Sequence, residues 1–359
     1  MAEPWLKLSE LARRRPPFVG WLLVLVLAAA CGDDRQPRVS DGSPAVPIAT
    51  ATAPRPAARP AAAATATTTA TVEPSPLAAA ELPIIDLHFH PEAGWGDLEA
   101  IFDQTGVAAA GNGAGDDDAV ALTLAERYPG RVLAFGGGSE LRRLILAHGQ
   151  AAWTLANDET RQYLAGLEAQ AAADAFDGIG EVHVNNWGSN IIGSPQYRFP
   201  ADSALVAALL ALAAEYQLPF SVHMDAEAES VAQMERLLTA NRDGVWLWAH
   251  TGHYAEPELL RRLLEEHPNL YCELSYRLSI SGSRTAIAID SGGSLRESWR
   301  ELLEDFPDRF VIGTDLGFAS PASYAAMIAF WRLILEQLSP RTAARVAYLN
   351  AERLLGGDR

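Results

Sequence analysis

Pro83-Ile84-Ile85-Asp86-Leu87-His88-Phe89-His90 is the stretch on which the reading of this chain turns. A short β-branched run ends in two histidines spaced two apart. Side chains along a strand alternate faces, so His88 and His90 point the same way and can bite one cation. The pattern recurs downstream, each time as an apolar run that ends in a polar group. Pro219-Phe220-Ser221-Val222-His223 and Trp246-Leu247-Trp248-Ala249-His250 end in histidine, and Ile312-Gly313-Thr314-Asp315 ends in aspartate. Gly178-Ile179-Gly180-Glu181-Val182-His183 carries a glutamate, with His183 on the same face of a regular strand. The spacing predicts strands at 83–88, 107–110, 132–135, 179–184, 219–223, 245–250, 270–273 and 310–315. Amphipathic segments at 201–216, 228–240, 257–266, 294–306, 321–338 and 340–355 read as helices. Eight strands alternating with helices predict an α/β fold, a (β/α)8 TIM barrel, in which the C-terminal strand ends converge on one mouth, with an open doubly wound sheet as the structural alternative.

Charge and composition divide the chain at about residue 80. Of 359 residues, 28 are basic and 45 acidic, for a net charge of -17. Residues 1–80 are slightly basic, whereas 81–359 hold 20 basic and 39 acidic side chains. A body that acidic repels phosphate backbones, which argues against nucleic acid as a partner. Lys7 and Arg13-Arg14-Arg15 precede an apolar run from Phe18 to Ala30, the order of a secretory signal over residues 1–30. Ala28-Ala29-Ala30-Cys31 resembles a bacterial lipobox, so Cys31 is expected to carry a lipid anchor to a membrane. The expected location is the bacterial cell envelope, on the outer membrane facing the periplasm. Residues 31–80 are rich in Pro, Ala and Thr and cannot bury enough apolar surface to offset ordering, so they read as a disordered linker. The globular domain is expected over 81–359. Lys7 is the only lysine, so cleavage of the signal leaves none for a Schiff base, a phosphate loop or a carboxylated-lysine metal bridge.

Taken in order, these motifs resemble the metal-dependent amidohydrolase superfamily, specifically its amidohydrolase-2 branch. The resemblance adds Ala249-His250-Thr251-Gly252, Glu266-His267-Pro268-Asn269-Leu270-Tyr271, the run from Asp308 to Asp315, and Asn350-Ala351-Glu352-Arg353-Leu354-Leu355. It implies His88, His90, His223, His250 and Asp315 at a metal centre, with Asp315 also taking the proton from the attacking water. Related binuclear enzymes often bridge two metals with a carboxylated lysine on the fourth strand. Here Glu181 stands on that strand, either as a bridging ligand or as an acid beside a single metal. Imidazoles with carboxylates suit one or two divalent ions, Zn²⁺ first, with Mn²⁺ and Fe²⁺ compatible.

His183, His253, Tyr276 and Arg277 are candidate substrate contacts, and Asn185, Asn186 and Trp187 could line the pocket. His148 and His267 are expected at the surface, and Trp246 and Trp248 in the core. The glycine clusters at 111–115 and 136–138 read as flexible loops near the site. The leading expectation is a hydrolase that uses metal-activated water on an ester, lactone or amide of a small organic molecule. A non-oxidative decarboxylase of an aromatic or enoic acid is the alternative, with a nuclease disfavoured by charge. A non-catalytic binding lipoprotein would be expected to have lost ligands that are all present.

Overall fold

The computed structural model describes residues 77–90, 96–111, 117–186, 198–276, 288–290, 293–316 and 320–356. The expected signal, Cys31, most of the linker, residues 112–115, Trp187 and Arg277 lie outside the described residues.

Among the described residues, nine parallel strand segments occupy eight barrel positions. They are β1 (Ile84–Asp86), β2 (Val107–Gly111), β3 (Val132–Leu133), β4 (Phe135–Gly137), β5 (Gly178–Asn185), β6 (Phe220–Met224), β7 (Trp246–Ala249), β8 (Leu270–Glu273) and β9 (Phe310–Val311). β1, β2 and β3 pair in that order, and β4 through β9 pair in sequence. A parallel bridge from Asp86 to Ile312 joins β9 to β1 and closes the ring. The expected third strand is therefore two segments, broken at Ala134. There the backbone pairs with Asp177 instead: Ala134 N–H donates to its carboxylate at 2.9 Å, and the Ala134 carbonyl accepts from Asp177 N–H at 2.7 Å. The break leaves no polar backbone group stranded, and the chain passes directly from one sheet to the other.

Alternation along the strands sorts their side chains into two cores. Ile85, Ala109, Leu133, Phe135, Leu247 and Val311 gather in one cluster, joined by Ala351 and Leu354 of the last helix (Asn350–Leu354). Their neighbours Ile84, Ala110, Val132, Trp246, Trp248 and Phe310 belong to the larger cluster shared with the helices. This is the barrel arrangement, an interior filled by side chains and an outer layer under a helical jacket. Trp246 and Trp248 are both fully buried, as their apolar surroundings predict. The helices start where the sequence offers caps: Ser203 accepts from Val206 N–H, Asn157 from Glu159 and Thr160, and Ser339 from Thr342.

Two expectations change. His267 is buried, because it closes the helix Pro257–Glu266 with a bond from its N–H to Leu263 while its carbonyl takes the Arg309 side chain. His148 is exposed as expected. The glycines 136–138 are not a loop; they end β4 and open the helix Gly138–His148. A Cβ on Gly138 would collide with the Glu181 backbone, so glycine is what lets this helix start against β5.

Candidate metal centre

His88 and His90 lie just past the end of β1, so strand alternation alone does not orient them. The Asp86 carboxylate does much of that work, accepting from His88 N–H at 3.1 Å, from Thr314 N–H at 3.0 Å and from the Thr314 hydroxyl at 2.7 Å. The His88 carbonyl in turn accepts from the Thr314 and Asp315 N–H groups. These bonds tie the segment after β1 to the segment after β9. His90 Nε2 thereby lies 3.0 Å from Asp315 Oδ1, His88 Nε2 lies 3.3 Å from the same oxygen, and the two nitrogens are 3.1 Å apart.

Glu181, on β5, faces this group with one oxygen and a second group with the other. Its Oε2 lies 3.4 Å from His88 Nε2, 3.8 Å from His90 Nε2 and 3.3 Å from His183 Nε2. Its Oε1 lies 3.0 Å from His223 Nδ1 and 3.2 Å from His250 Nε2. His183 and Glu181 do share a side of β5, and the His183 ring stacks on His223 at 4.6 Å. One carboxylate therefore stands between two sets of donors.

Three acids outside the expected set fix these histidines, two by their rings and one by the backbone. Glu273, at the end of β8 and fully buried, is 2.7 Å from His88 Nδ1 and accepts from His250 N–H at 3.0 Å. It also accepts from the Ser275 hydroxyl, whose oxygen is 2.7 Å from His250 Nδ1. Asp225 Oδ1 is 2.7 Å from His253 Nδ1. Asp86 is the third. With Nδ1 of His88, His250 and His253 engaged outward, Nε2 of each ring is the nitrogen left to face the centre. Metal-ligating histidines have this habit, since an outer acceptor fixes the tautomer and raises the donor strength of the other nitrogen. His223 Nε2 is buried and has no hydrogen-bond partner among the described residues. The donor set fits divalent cations, with oxygen and nitrogen ligands grouped as His88, His90 and Asp315, and as His88, Glu181 and His250.

Charge points the same way. Burial opposes ionisation of Glu181, Asp315 and Glu273, yet the surrounding imidazoles, His88 foremost, hold all three carboxyls below their ordinary values. Against its own burial, His88 is raised well above its ordinary value by Glu181, Asp315 and Glu273. His90 is raised too, burial again opposing, chiefly by Asp315. Burial lowers His223 and His250, which stay neutral donors. Three ionised carboxylates in a buried cluster require positive charge, which protons or metal cations can supply. Asp86 is the exception, pushed up by burial to about 7.

Seven described non-glycine residues have positive φ, and five lie here: His250, Thr251, His253, Tyr276 and Asp315. Such backbone is costly and persists where packing over-determines it, as at functional sites. Tyr276 sets its ring 5.2 Å from His250 and its hydroxyl against Asp315, whose charge raises the phenol well above its ordinary value. Asn185 is fully buried and bonds Asp225 N–H and Ser230. His253, expected as a substrate contact, is 1% exposed.

The amidohydrolase family model matches residues 73–357. No curated protein matches the chain. Among solved structures, an uncharacterized TIM-barrel protein of Bordetella bronchiseptica shares 15% identity and a TM-score of 0.52, over 77% of this chain and 99% of that one. It supports the barrel fold. A 2,6-dihydroxybenzoate decarboxylase from Rhizobium aligns at 14% identity and TM-score 0.48 over 77% and 100% of the two chains. An amidohydrolase from Burkholderia multivorans with bound HEPES aligns at 14% and 0.46 over 76% and 99%.

Proposed function

From the premise that this chain belongs to the amidohydrolase family and is an enzyme of that superfamily, we propose that it is a metal-dependent hydrolase of a small organic ester, lactone or amide. The observation that carries this is Glu181, whose Oε2 faces His88, His90 and His183 while its Oε1 faces His223 and His250. In this reading His88, His90 and Asp315 would hold one divalent cation and His223 and His250 another, with Glu181 offering an oxygen toward each set. When bound, the cations supply Lewis acidity that makes a water acidic and polarises the scissile carbonyl. The other steps fall to the chain's own groups. Asp315, kept ionised by the imidazoles around it, takes the proton from the attacking water and passes it to the leaving group. Tyr276, a neutral phenol beside Asp315, limits where that carboxylate can swing. His183, whose side chain is 32% exposed, offers its ring to substrate.

The test uses the full-length protein, stripped with a chelator and reloaded with Zn²⁺ or Mn²⁺. It is assayed against lactones, esters, amides and phenolic acids. Hydrolysis should depend on metal, and Asp315→Asn should keep most of the metal while kcat falls by roughly 10²–10⁴. A rate within about threefold of wild type would remove Asp315 as the base. Release of CO₂ from a phenolic acid without hydrolysis would make the enzyme a decarboxylase instead. We further propose that Cys31 anchors the enzyme in the cell envelope, supported by the basic, apolar, small-residue, cysteine order. Wild type should fractionate with membranes and Cys31→Ser should not; equal partitioning of the two would refute the anchor.

A further inference from the structure

We propose that the second cation rests on three imidazoles, with His253 joining His223 and His250, and that Asp225 fixes His253 for this role. The assignment rests on the two-cation reading above and extends it by a ligand and a positioning acid.

Ligand atoms of His223, His250 and His253 lie within 4.8 Å of one another, and all three residues are buried. Ring centroids are 4.4 Å apart for His250 and His253, 5.0 Å for His223 and His253, and 4.7 Å for His223 and His250. Asp225 is fully buried and holds His253 Nδ1 at 2.7 Å, so the proton sits on Nδ1 and the Nε2 lone pair is left as the donor. His250 is prepared in the same way by Ser275, and His88 by Glu273.

The segments that carry the pair are fastened to each other. Asn185 accepts from Asp225 N–H at 2.8 Å and donates to Ser230 at 2.7 Å. Ala226 N–H donates to the Gly252 carbonyl at 3.1 Å, and the Tyr254 hydroxyl donates to Glu227 at 2.6 Å. His253 itself has a φ of 58°, a conformation that a residue there adopts only when its surroundings enforce it. A substrate contact needs access, and a proton relay needs a route to solvent. A ring that is 1% exposed behind a fully buried aspartate offers neither, whereas a ligand needs only its neighbours. Away from this centre, the described histidine–carboxylate group of Glu235, Glu266 and His267 differs. Arg262 already neutralises both of its carboxylates.

The test is titration of metal-free full-length protein with Zn²⁺ against a chromophoric chelator, and with Co²⁺ followed by visible absorption. Wild type should take up two ions. His253→Ala should hold about one, with the affinity of the tighter site unchanged and the Co²⁺ spectrum of the second ion lost. Asp225→Asn should still take two, the weaker bound roughly 10–100-fold less tightly. Far-UV circular dichroism checks the fold of each variant. His253→Gln, closer in volume, is titrated alongside and should match His253→Ala. If the folded His253 and Asp225 variants keep both ions at wild-type affinity, the third ligand is refuted while the two-cation reading stands. If wild type in excess metal holds a single ion, the two-cation reading fails and this assignment fails with it.

Discussion

Glu273 shows how much of the site depends on residues that never face its centre. One buried carboxylate is engaged with His88 Nδ1, His250 N–H and Ser275, and so touches both proposed cation positions at one remove. Glu273→Gln keeps the shape, but its amide cannot accept from all of these donors at once. Outer-shell partners of this kind are worth 10–100-fold in metal affinity, so a loss of roughly that size is expected in a Zn²⁺ titration. An unchanged affinity would mean that the two imidazoles are held by packing alone. At this scale the sequence shows ligand types well and their supports badly. Histidine or aspartate at the end of an apolar run stands out by chemistry, as His223, His250 and Asp315 do. Glu273 carries the same signal at the end of 270–273 and could have been singled out by it. Asp86 and Asp225 could not, because their roles lie in bonds to groups that only the fold brings near.

Among the elements, strand periodicity gave the right outcome for His88 and His90 through a different cause. β1 stops at Asp86, and the bonds from Thr314 and His88 to that carboxylate bring the rings together instead. Strand ends were the least legible feature, since short segments such as β9 (Phe310–Val311) hand over at once to loops pinned by side chains. One helix start makes a pH-dependent prediction. Glu304, in the helix Glu297–Asp305, accepts from Ser339 N–H at 2.6 Å, Ser339 Oγ at 2.7 Å and Thr342 Oγ1 at 2.6 Å, at the start of the helix Pro340–Ala344. Burial raises its carboxyl, but these donors outweigh it and leave the value below the ordinary 4.5. A depressed carboxyl stabilises the fold above its unfolded value, and that stability is lost as pH falls through the folded one. Denaturant unfolding should find Glu304→Gln less stable than wild type at pH 7, with the gap closing below pH 4.5. A gap independent of pH would assign the loss to shape and not to charge.

For the molecule as a whole, the barrel was legible because its logic is written in period and order. Parallel strands buried on both faces read as short apolar runs, and helices between them read as amphipathic stretches. What the sequence hid was the seam at Ala134, where an aspartate 43 residues downstream replaces a strand partner. Closure between β9 and β1 is what brings Asp315 to the first histidines, and succession along β5, β6 and β7 brings Glu181 to His223 and His250. The central claim is that one carboxylate stands between two cations on this barrel. An anomalous difference map from crystals of the full-length protein grown with Zn²⁺, collected at the zinc edge, tests it most directly. The account predicts two peaks, one beside each oxygen of Glu181, the first against His88, His90 and Asp315 and the second against His223 and His250. A single peak, or two peaks on the same side of Glu181, would contradict it.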